Sequence, residues 1–124
     1  MVNAMTVDVE DYFHVQAFAD VIAPEDWDNF PLRVERNTER ILELFAAHHV
    51  RATFFVLGWV AERCPNLLSK ICQAGHEVGC HGYWHRMITC GDAKDFRDDL
   101  KRAKDAIEER WALAREIEIG RAHV

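Results

Sequence analysis

Residues 52–57, A-T-F-F-V-L, decide the fold of this chain, and Gly58 closes the run. The side chains are apolar and strand-forming without alternation, a pattern typical of a strand that is covered on both faces in a parallel sheet. Two further segments, residues 2–8 and residues 77–81, also have the composition of strands. We therefore predict three strands, of which the one at residues 52–57 is covered on both faces.

The segments between these strands predict helices. Residues 32–49 and 60–74 have helical periodicity, with Pro65 opening the main turn of the second segment, and Asp92 is a candidate cap for a last helix. The order β-α-β-α-β-α implies parallel strands with right-handed crossovers, an α/β fold. Three such strands leave sheet edges unpaired, so a longer barrel or doubly wound sheet explains the pattern better. The predicted inward-facing residues are Val34, Ile41, Leu44, Phe45 and His48 in the first helix, Leu67, Leu68 and Ile71 in the second, and Phe96, Leu100, Ala103 and Ile107 in the last.

Composition narrows the functional classes. The 124 residues are 49% hydrophobic and carry a net charge of −6, which suits one globular unit and argues against nucleic acid as the main partner. No apolar run is long enough for a transmembrane segment, and no signal peptide is visible, so we expect a cytoplasmic location. The cysteine spacings do not resemble a structural zinc motif, and we expect reduced thiols.

Two polar clusters follow predicted strands. The first is T-V-D-V-E-D-Y-F-H, residues 6–14, and the second is H-G-Y-W-H, residues 81–85. Parallel α/β folds collect ligands beyond the carboxyl ends of their strands, and neighbouring ends can bring such loops together. We therefore expect one joint site.

The residue types in these clusters indicate a catalytic metal site. His81 and His85 each offer an imidazole nitrogen, and Glu10 or Asp11 could add a carboxylate; this set leaves positions open for water and substrate. An ion held there would lower the pKa of a bound water and polarise a carbonyl. Asp8 is the candidate that takes the proton from that water. Two locally hydrogen-bonded loop histidines and a solvated acidic strand end are the alternative reading.

These motifs resemble the NodB-homology polysaccharide deacetylases, carbohydrate esterase family 4. T-V-D-V-E-D resembles their first motif and H-G-Y-W-H their second, and A-T-F-F-V-L-G-W-V-A-E-R and G-H-E-V-G-C-H-G are also typical. The form D-V-E-D-Y-F-H further resembles a subgroup linked to exopolysaccharide synthesis in bacteria with exosortase systems. The resemblance covers roughly residues 2–110.

The resemblance implies the N-terminal part of a distorted (β/α)7 barrel with a divalent metal, zinc being our expectation. It implies that His81 and His85 bind the metal and that Asp8 or Glu10 is the catalytic base. The third ligand is Asp11 if the acids match an adjacent pair, and Glu10 or Asp11 if a spaced pattern applies. We expect Asp11 on this basis.

The expected substrate is an N-acetylated polysaccharide, in an envelope polysaccharide pathway. The residues expected to contact the sugar are Tyr12, His14 and Trp84, whereas Trp59 and His76 are expected to be structural. A related amidase or O-deacetylase is one alternative to this metal-dependent hydrolase of N-acetyl groups. A second alternative is a relative of these enzymes that binds glycans without catalysing their hydrolysis.

The C-terminal region departs from the family pattern. Later motifs that supply an arginine, an acetyl-pocket wall and a general-acid histidine are not recognisable after residue 110. The last seven residues, E-I-G-R-A-H-V, match a translation of a widely used sequencing adapter. We therefore expect residues 1–117 to be a partial deacetylase domain, inactive alone, and residues 118–124 to be a non-native tail.

Overall fold

The computed structural model describes residues 3–85 and 91–122, with side chains described up to residue 112. Within these residues the chain alternates strands and helices in the predicted β-α-β-α-β-α order, with the second helical region divided in two. Cys90 lies outside the described residues, and Cys64 and Cys80 are free thiols. The α/β fold class expected from the sequence is confirmed.

Three parallel strands form the sheet: β1 (Thr6–Val9), β2 (Thr53–Val56) and β3 (Glu77–Cys80). Their order is β1-β2-β3, so the run quoted at the outset occupies the centre, with Phe54 and Val56 fully buried. The flanking strands pair with β2 on both sides, which makes it the central strand of the sheet. The predicted positions of all three strands are confirmed; each strand is shorter than predicted, and β1 begins later and ends one residue later than expected.

Four α-helices connect and follow the strands. They are α1 (Val34–Ala47), α2 (Gly58–Arg63), α3 (Pro65–Gln73) and α4 (Ala93–Ala122). Cys64 separates α2 from α3, and Pro65 opens α3, where its missing N–H costs no helical hydrogen bond. The side chain of Asp92 accepts a hydrogen bond from Asp95 N at 2.9 Å, as expected for a residue that caps the start of α4.

Two predicted helix faces need correction. In α1 the buried residues are Val34, Thr38 and Leu42, whereas Leu44 and His48 are exposed. In α4, Ala103 and Ile107 are buried as predicted, but Phe96 and Leu100 are 46% and 42% exposed. Apolar periodicity in the first turns of α4 therefore does not report burial.

The α4 helix packs closely on α2 and α3. Gly58, the first residue of α2, permits this contact, because a Cβ there would lie 2.7 Å from Ala103 Cα and 2.8 Å from the Tyr83 ring. Its N–H also donates to Gly82 O at 2.7 Å, which ties the start of α2 to the loop after β3. A larger residue at position 58 would therefore separate α4 from the sheet.

The long connection from β1 to α1 is folded into short 3-10 turns rather than left open. Within it, Phe13 and Trp27 are buried and pack their rings against Trp59 of α2. Trp59 is thus a core residue, as predicted. None of the helices in the described part of the chain combines the length and apolar composition that a membrane span requires.

Candidate metal centre

The register of the sheet brings the two polar clusters to one edge. Val9, Val56 and Cys80 are paired across the three strands, so β1 and β3 end at the same level. Glu10 and His81 are the next residues, and His81 N donates to Val56 O at 3.0 Å. Both side chains therefore start from the carboxyl edge, on either side of the end of β2.

Three side chains converge at this edge: Glu10, His81 and His85. One candidate ligand atom from each lies within 4.8 Å of the other two. Glu10 Oε2 is 3.3 Å from His81 Nε2 and 2.6 Å from His85 Nε2. The three side chains are only partly exposed, between 18% and 28%. The arrangement is a compact, partly buried set of two nitrogens and one oxygen.

The directions of these atoms fit a shared cation better than a hydrogen-bonded cluster. Glu10 Oε2 and His81 Nε2 are buried, and neither forms a hydrogen bond of good geometry with any described residue, despite their closeness. Buried polar atoms normally find partners, and atoms that approach without donating to one another suit ligands of a common ion. Two histidines and a carboxylate fit zinc or a similar transition ion with positions left for substrate.

The charges of the cluster also favour a bound cation. Burial raises the pKa of Glu10, but contact with His81 and the charge of His85 outweigh burial and leave that pKa below its ordinary value. The contact with Glu10 raises the pKa of His81, against a smaller opposing effect of burial. Glu10 is therefore ionised at neutral pH, and its negative charge attracts either a proton on His81 or a metal ion.

Asp8 lies beside this cluster without joining it. Its Oδ2 is 3.9 Å from His81 Nε2, and its side chain is 54% exposed. Residues two apart on a strand point to the same side, which places Asp8 and Glu10 together. An exposed carboxylate next to the ligand set is suitably placed to exchange a proton with water.

The structure corrects the expected role of Asp11. Its carboxylate accepts hydrogen bonds from the backbone N–H groups of Tyr12 at 2.9 Å, Arg33 at 2.6 Å and Val34 at 2.9 Å. Asp11 is 4% exposed, and both of its oxygens are occupied by these contacts. The carboxylate that meets the histidines is that of Glu10, and Asp11 instead attaches the β1 loop to the start of α1. Strand alternation, which places Glu10 on the same side as Asp8, is the sequence signal that could have identified Glu10.

Two of the three predicted sugar-contacting residues share a cavity with a predicted ligand. His14, Trp84 and His85 line a cavity of about 230 Å³ beside the cluster, together with Trp27. His14 is buried, and its Nδ1 accepts from Asp11 N at 2.7 Å. Tyr12 packs edge-on against Phe13 and beneath Arg33. Substrate contact by these three residues stays a prediction.

Sequence reasoning missed one residue near the site, Asp99 of α4. Its carboxylate accepts from the backbone N–H groups of Tyr83 and Trp84, which lie between the two histidines. No local pattern in the sequence marks this contact, because it joins a helix to a distant loop. His76 was predicted to be structural, and its Nδ1 accepts from Ala52 N at 3.1 Å.

The chain is similar to known deacetylases. Residues 26–116 match the family described as polysaccharide deacetylase. Peptidoglycan-N-acetylglucosamine deacetylase of Bacillus cereus is 33% identical over 70 residues, covering 56% of this chain and 26% of the relative. Chitooligosaccharide deacetylase of Rhizobium leguminosarum bv. trifolii is 36% identical over 70 residues, covering 56% of this chain and 33% of the relative.

A solved structure shares the fold. The crystal structure of a peptidoglycan N-acetylglucosamine deacetylase in complex with a hydroxamic-acid benzamide has a TM-score of 0.64 at 25% identity. The match covers 86% of this chain and 40% of that chain. The chain therefore spans well under half the length of the relatives it matches. The matched strands and helices make up less than half of that solved chain.

Proposed function

Because the chain belongs to the polysaccharide deacetylase family, we propose that its protein is a metal-dependent hydrolase that removes N-acetyl groups from a polysaccharide. The single observation that carries the proposal is the convergence of Glu10 Oε2 with His81 and His85 at one sheet edge. The names of the relatives support the substrate class, since peptidoglycan and chitooligosaccharides both contain N-acetylated sugars.

In this proposal, Glu10, His81 and His85 hold a divalent cation, which we expect to be zinc. When bound, such a cation polarises a carbonyl and lowers the pKa of water. Glu10 is a ligand rather than the base, because its buried Oε2 lies among the histidine nitrogens. The donor set is the support for zinc, since imidazole nitrogens and one carboxylate are common at catalytic zinc sites.

Asp8 is the proposed general base. Its carboxylate adjoins His81 but remains half-exposed, so it can receive a proton from water and return it to solvent or product. The oxygen of that water bonds to the acetamide carbon, and the carbon–nitrogen bond breaks. Acetate leaves, and the sugar nitrogen takes up a proton to become a free amine.

We propose that part of the glycan binds in the cavity beside the cluster. Trp84 and His85 line it together, so a group bound there would lie next to the ligand set. The indole of Trp84 offers an apolar face of the kind that packs against sugar rings. At about 230 Å³ the cavity is smaller than the pockets that enclose whole ligands, which are roughly 300 Å³ and above. It suits one group of a longer polymer.

Acetate release from an N-acetylglucosamine oligomer tests this proposal. We expect the full-length protein to release acetate, to stop after chelation and to recover when zinc is returned. The Asp8→Asn variant tests the proposed base and is expected to release acetate about 10²–10⁴ times more slowly than wild type. Release from O-acetyl but not N-acetyl substrates would instead indicate an O-deacetylase, and glycan binding that needs neither metal nor Asp8 would indicate a non-catalytic relative.

Two finer expectations belong to the same proposal. The sequence of residues 8–14, D-V-E-D-Y-F-H, supports membership of the exopolysaccharide-linked subgroup. A gene neighbourhood without polysaccharide synthesis genes would contradict it. The cytoplasmic location stays a prediction.

The origin of the C-terminal residues is a separate hypothesis. Residues 118–124 are proposed to be non-native because of their match to an adapter translation. Sequencing the genomic locus past codon 117 tests this, and recovery of the same seven codons there would refute it.

A further inference from the structure

We infer that Asp99 is a positioning residue that sets the metal affinity of the His81–His85 pair; this inference rests on the proposed function. Asp99 contacts neither histidine side chain. It acts on the backbone between them and therefore on the shape of the loop formed by residues 81–85.

This loop has an unusual backbone. Gly82 has a φ of +77° and His85 a φ of +57°, so two of its five residues adopt left-handed conformations. A non-glycine residue seldom adopts a positive φ unless surrounding contacts hold it there. The geometry that turns the His85 side chain toward Glu10 therefore depends on contacts from outside the loop.

Asp99 supplies the contacts at the centre of the loop. Its Oδ2 accepts from Tyr83 N and its Oδ1 accepts from Trp84 N, both at 3.1 Å. A Cβ at Gly82 would lie 3.1 Å from Asp99 Oδ2, so the carboxylate fits closely against the loop backbone. One carboxylate thus fixes two successive peptide units between the two ligands.

Other contacts anchor the helix and the Tyr83 side chain without replacing this role. Ala103, Ala106 and Ile107 are buried and hold α4 in place independently of Asp99. The Tyr83 hydroxyl donates to Glu62 Oε2 at 2.7 Å, which fixes the ring. Gly58 N donates to Gly82 O at 2.7 Å and so shares with Asp99 the peptide unit that joins Gly82 to Tyr83, whereas Asp99 also holds the next peptide unit through Trp84 N. Loss of the Asp99 carboxylate should therefore loosen the loop while leaving α4 packed.

A loosened loop should weaken metal binding. Ligands held by supporting hydrogen bonds lose little freedom when the ion binds, and removal of such support typically lowers metal affinity about 10–100-fold. The expected result is a loss of zinc affinity in that range, without a comparable loss of metal-free stability.

The test compares zinc affinity in the full-length protein for wild type, Asp99→Asn and Asp98→Asn. The neighbouring Asp98 is exposed on the same helix, so its variant controls for the loss of one negative charge. Asparagine retains the size of aspartate but presents an N–H₂ group to one of the two backbone donors. Competition with a chromophoric chelator gives the affinities, and thermal unfolding of the metal-free proteins gives the stabilities.

We expect Asp99→Asn to lose about 10–100-fold in zinc affinity and Asp98→Asn to match wild type. Hydrogen exchange at the Tyr83 and Trp84 amides should accelerate in Asp99→Asn, and the absorption spectrum of its cobalt form should change. If Asp99→Asn does not fold, Asp99→Glu, which keeps both acceptor oxygens, provides the comparison and should bind zinc more weakly than wild type.

The outcomes separate this inference from the proposed function. Equal zinc affinity in wild type and the folded Asp99 variant would overturn the inference alone. Failure of the wild-type protein to bind zinc or cobalt would overturn the proposed function, and the inference with it.

Discussion

His85 Nε2 lies 2.6 Å from Glu10 Oε2, although the histidine follows β3 and the glutamate follows β1. The two strands are not neighbours, since β2 lies between them. The two side chains therefore meet across the carboxyl end of the central strand, β2, which is followed by α2. This contact makes Glu10, rather than the adjacent Asp11, the carboxylate of the candidate site.

Replacing Glu10 by glutamine should release the metal. The amide of the Glu10→Gln variant would keep the side-chain length but lose the negative charge that the two histidines face. We expect zinc affinity to fall by at least about 100-fold, beyond the usual effect of an outer supporting residue. Elemental analysis after dialysis against limiting zinc measures this. Glu43→Gln, at an exposed position of α1, is the matched control and should keep its zinc.

Asp8→Asn should separate metal binding from catalysis. The Asp8 carboxylate lies outside the converging set, so we expect the variant to bind zinc as wild type does. The deacetylation rate should fall by about 10²–10⁴, the usual contribution of a general base. Acetate release and zinc content are measured on the same sample. Loss of zinc together with activity would show that Asp8 is a ligand.

Asp11→Asn should destabilise the fold while leaving the ligands in place. The carboxylate accepts three backbone N–H groups, and an amide cannot accept all of them. We expect a loss of about 2–3 kcal/mol in the free energy of unfolding of the metal-free protein, measured in urea. Asp20→Asn, at an exposed position in the same connection, should change it little. Unchanged stability with lost zinc would restore Asp11 as the ligand.

His14 should make stability depend on pH below neutrality. Burial lowers the pKa of His14 to about 4, and the nearby Asp11 and Glu10 only partly oppose this. Between its ordinary value of 6.5 and about 4, the unfolded chain binds a proton that the folded chain does not. Stability is therefore retained above pH 6.5 and falls as the pH drops toward 4, by about 3 kcal/mol in total.

Urea unfolding of the metal-free protein between about pH 4 and 7 measures this dependence. The comparison is with His14→Gln, which does not titrate and should show a shallower slope across the same range. Carboxylates elsewhere titrate in both proteins, so only the difference in slope reports His14. Equal slopes in the two proteins would contradict the prediction.

Much of the fold could be predicted from local patterns. The unbroken apolar run at residues 52–57 predicted a strand covered on both faces in a parallel sheet. Parallel strands end at a common edge, so the sequence could also place the acids and His81 and His85 at one site. The inward faces of α1 and α4 were partly wrong because periodicity shows which side is apolar, not how far a neighbouring element extends.

The sequence by itself determined the order of strands and helices, the edge where the polar clusters meet and the chemistry available there. Only the tertiary structure decided that Glu10 meets the histidines, that Asp11 caps a helix start and that Asp99 supports the histidine loop. The spacing of hydrophobic residues along the chain determines which face of a helix or strand is apolar and where a strand ends. The direction of one loop side chain is fixed by backbone hydrogen bonds to distant elements, and these form only once the chain has packed.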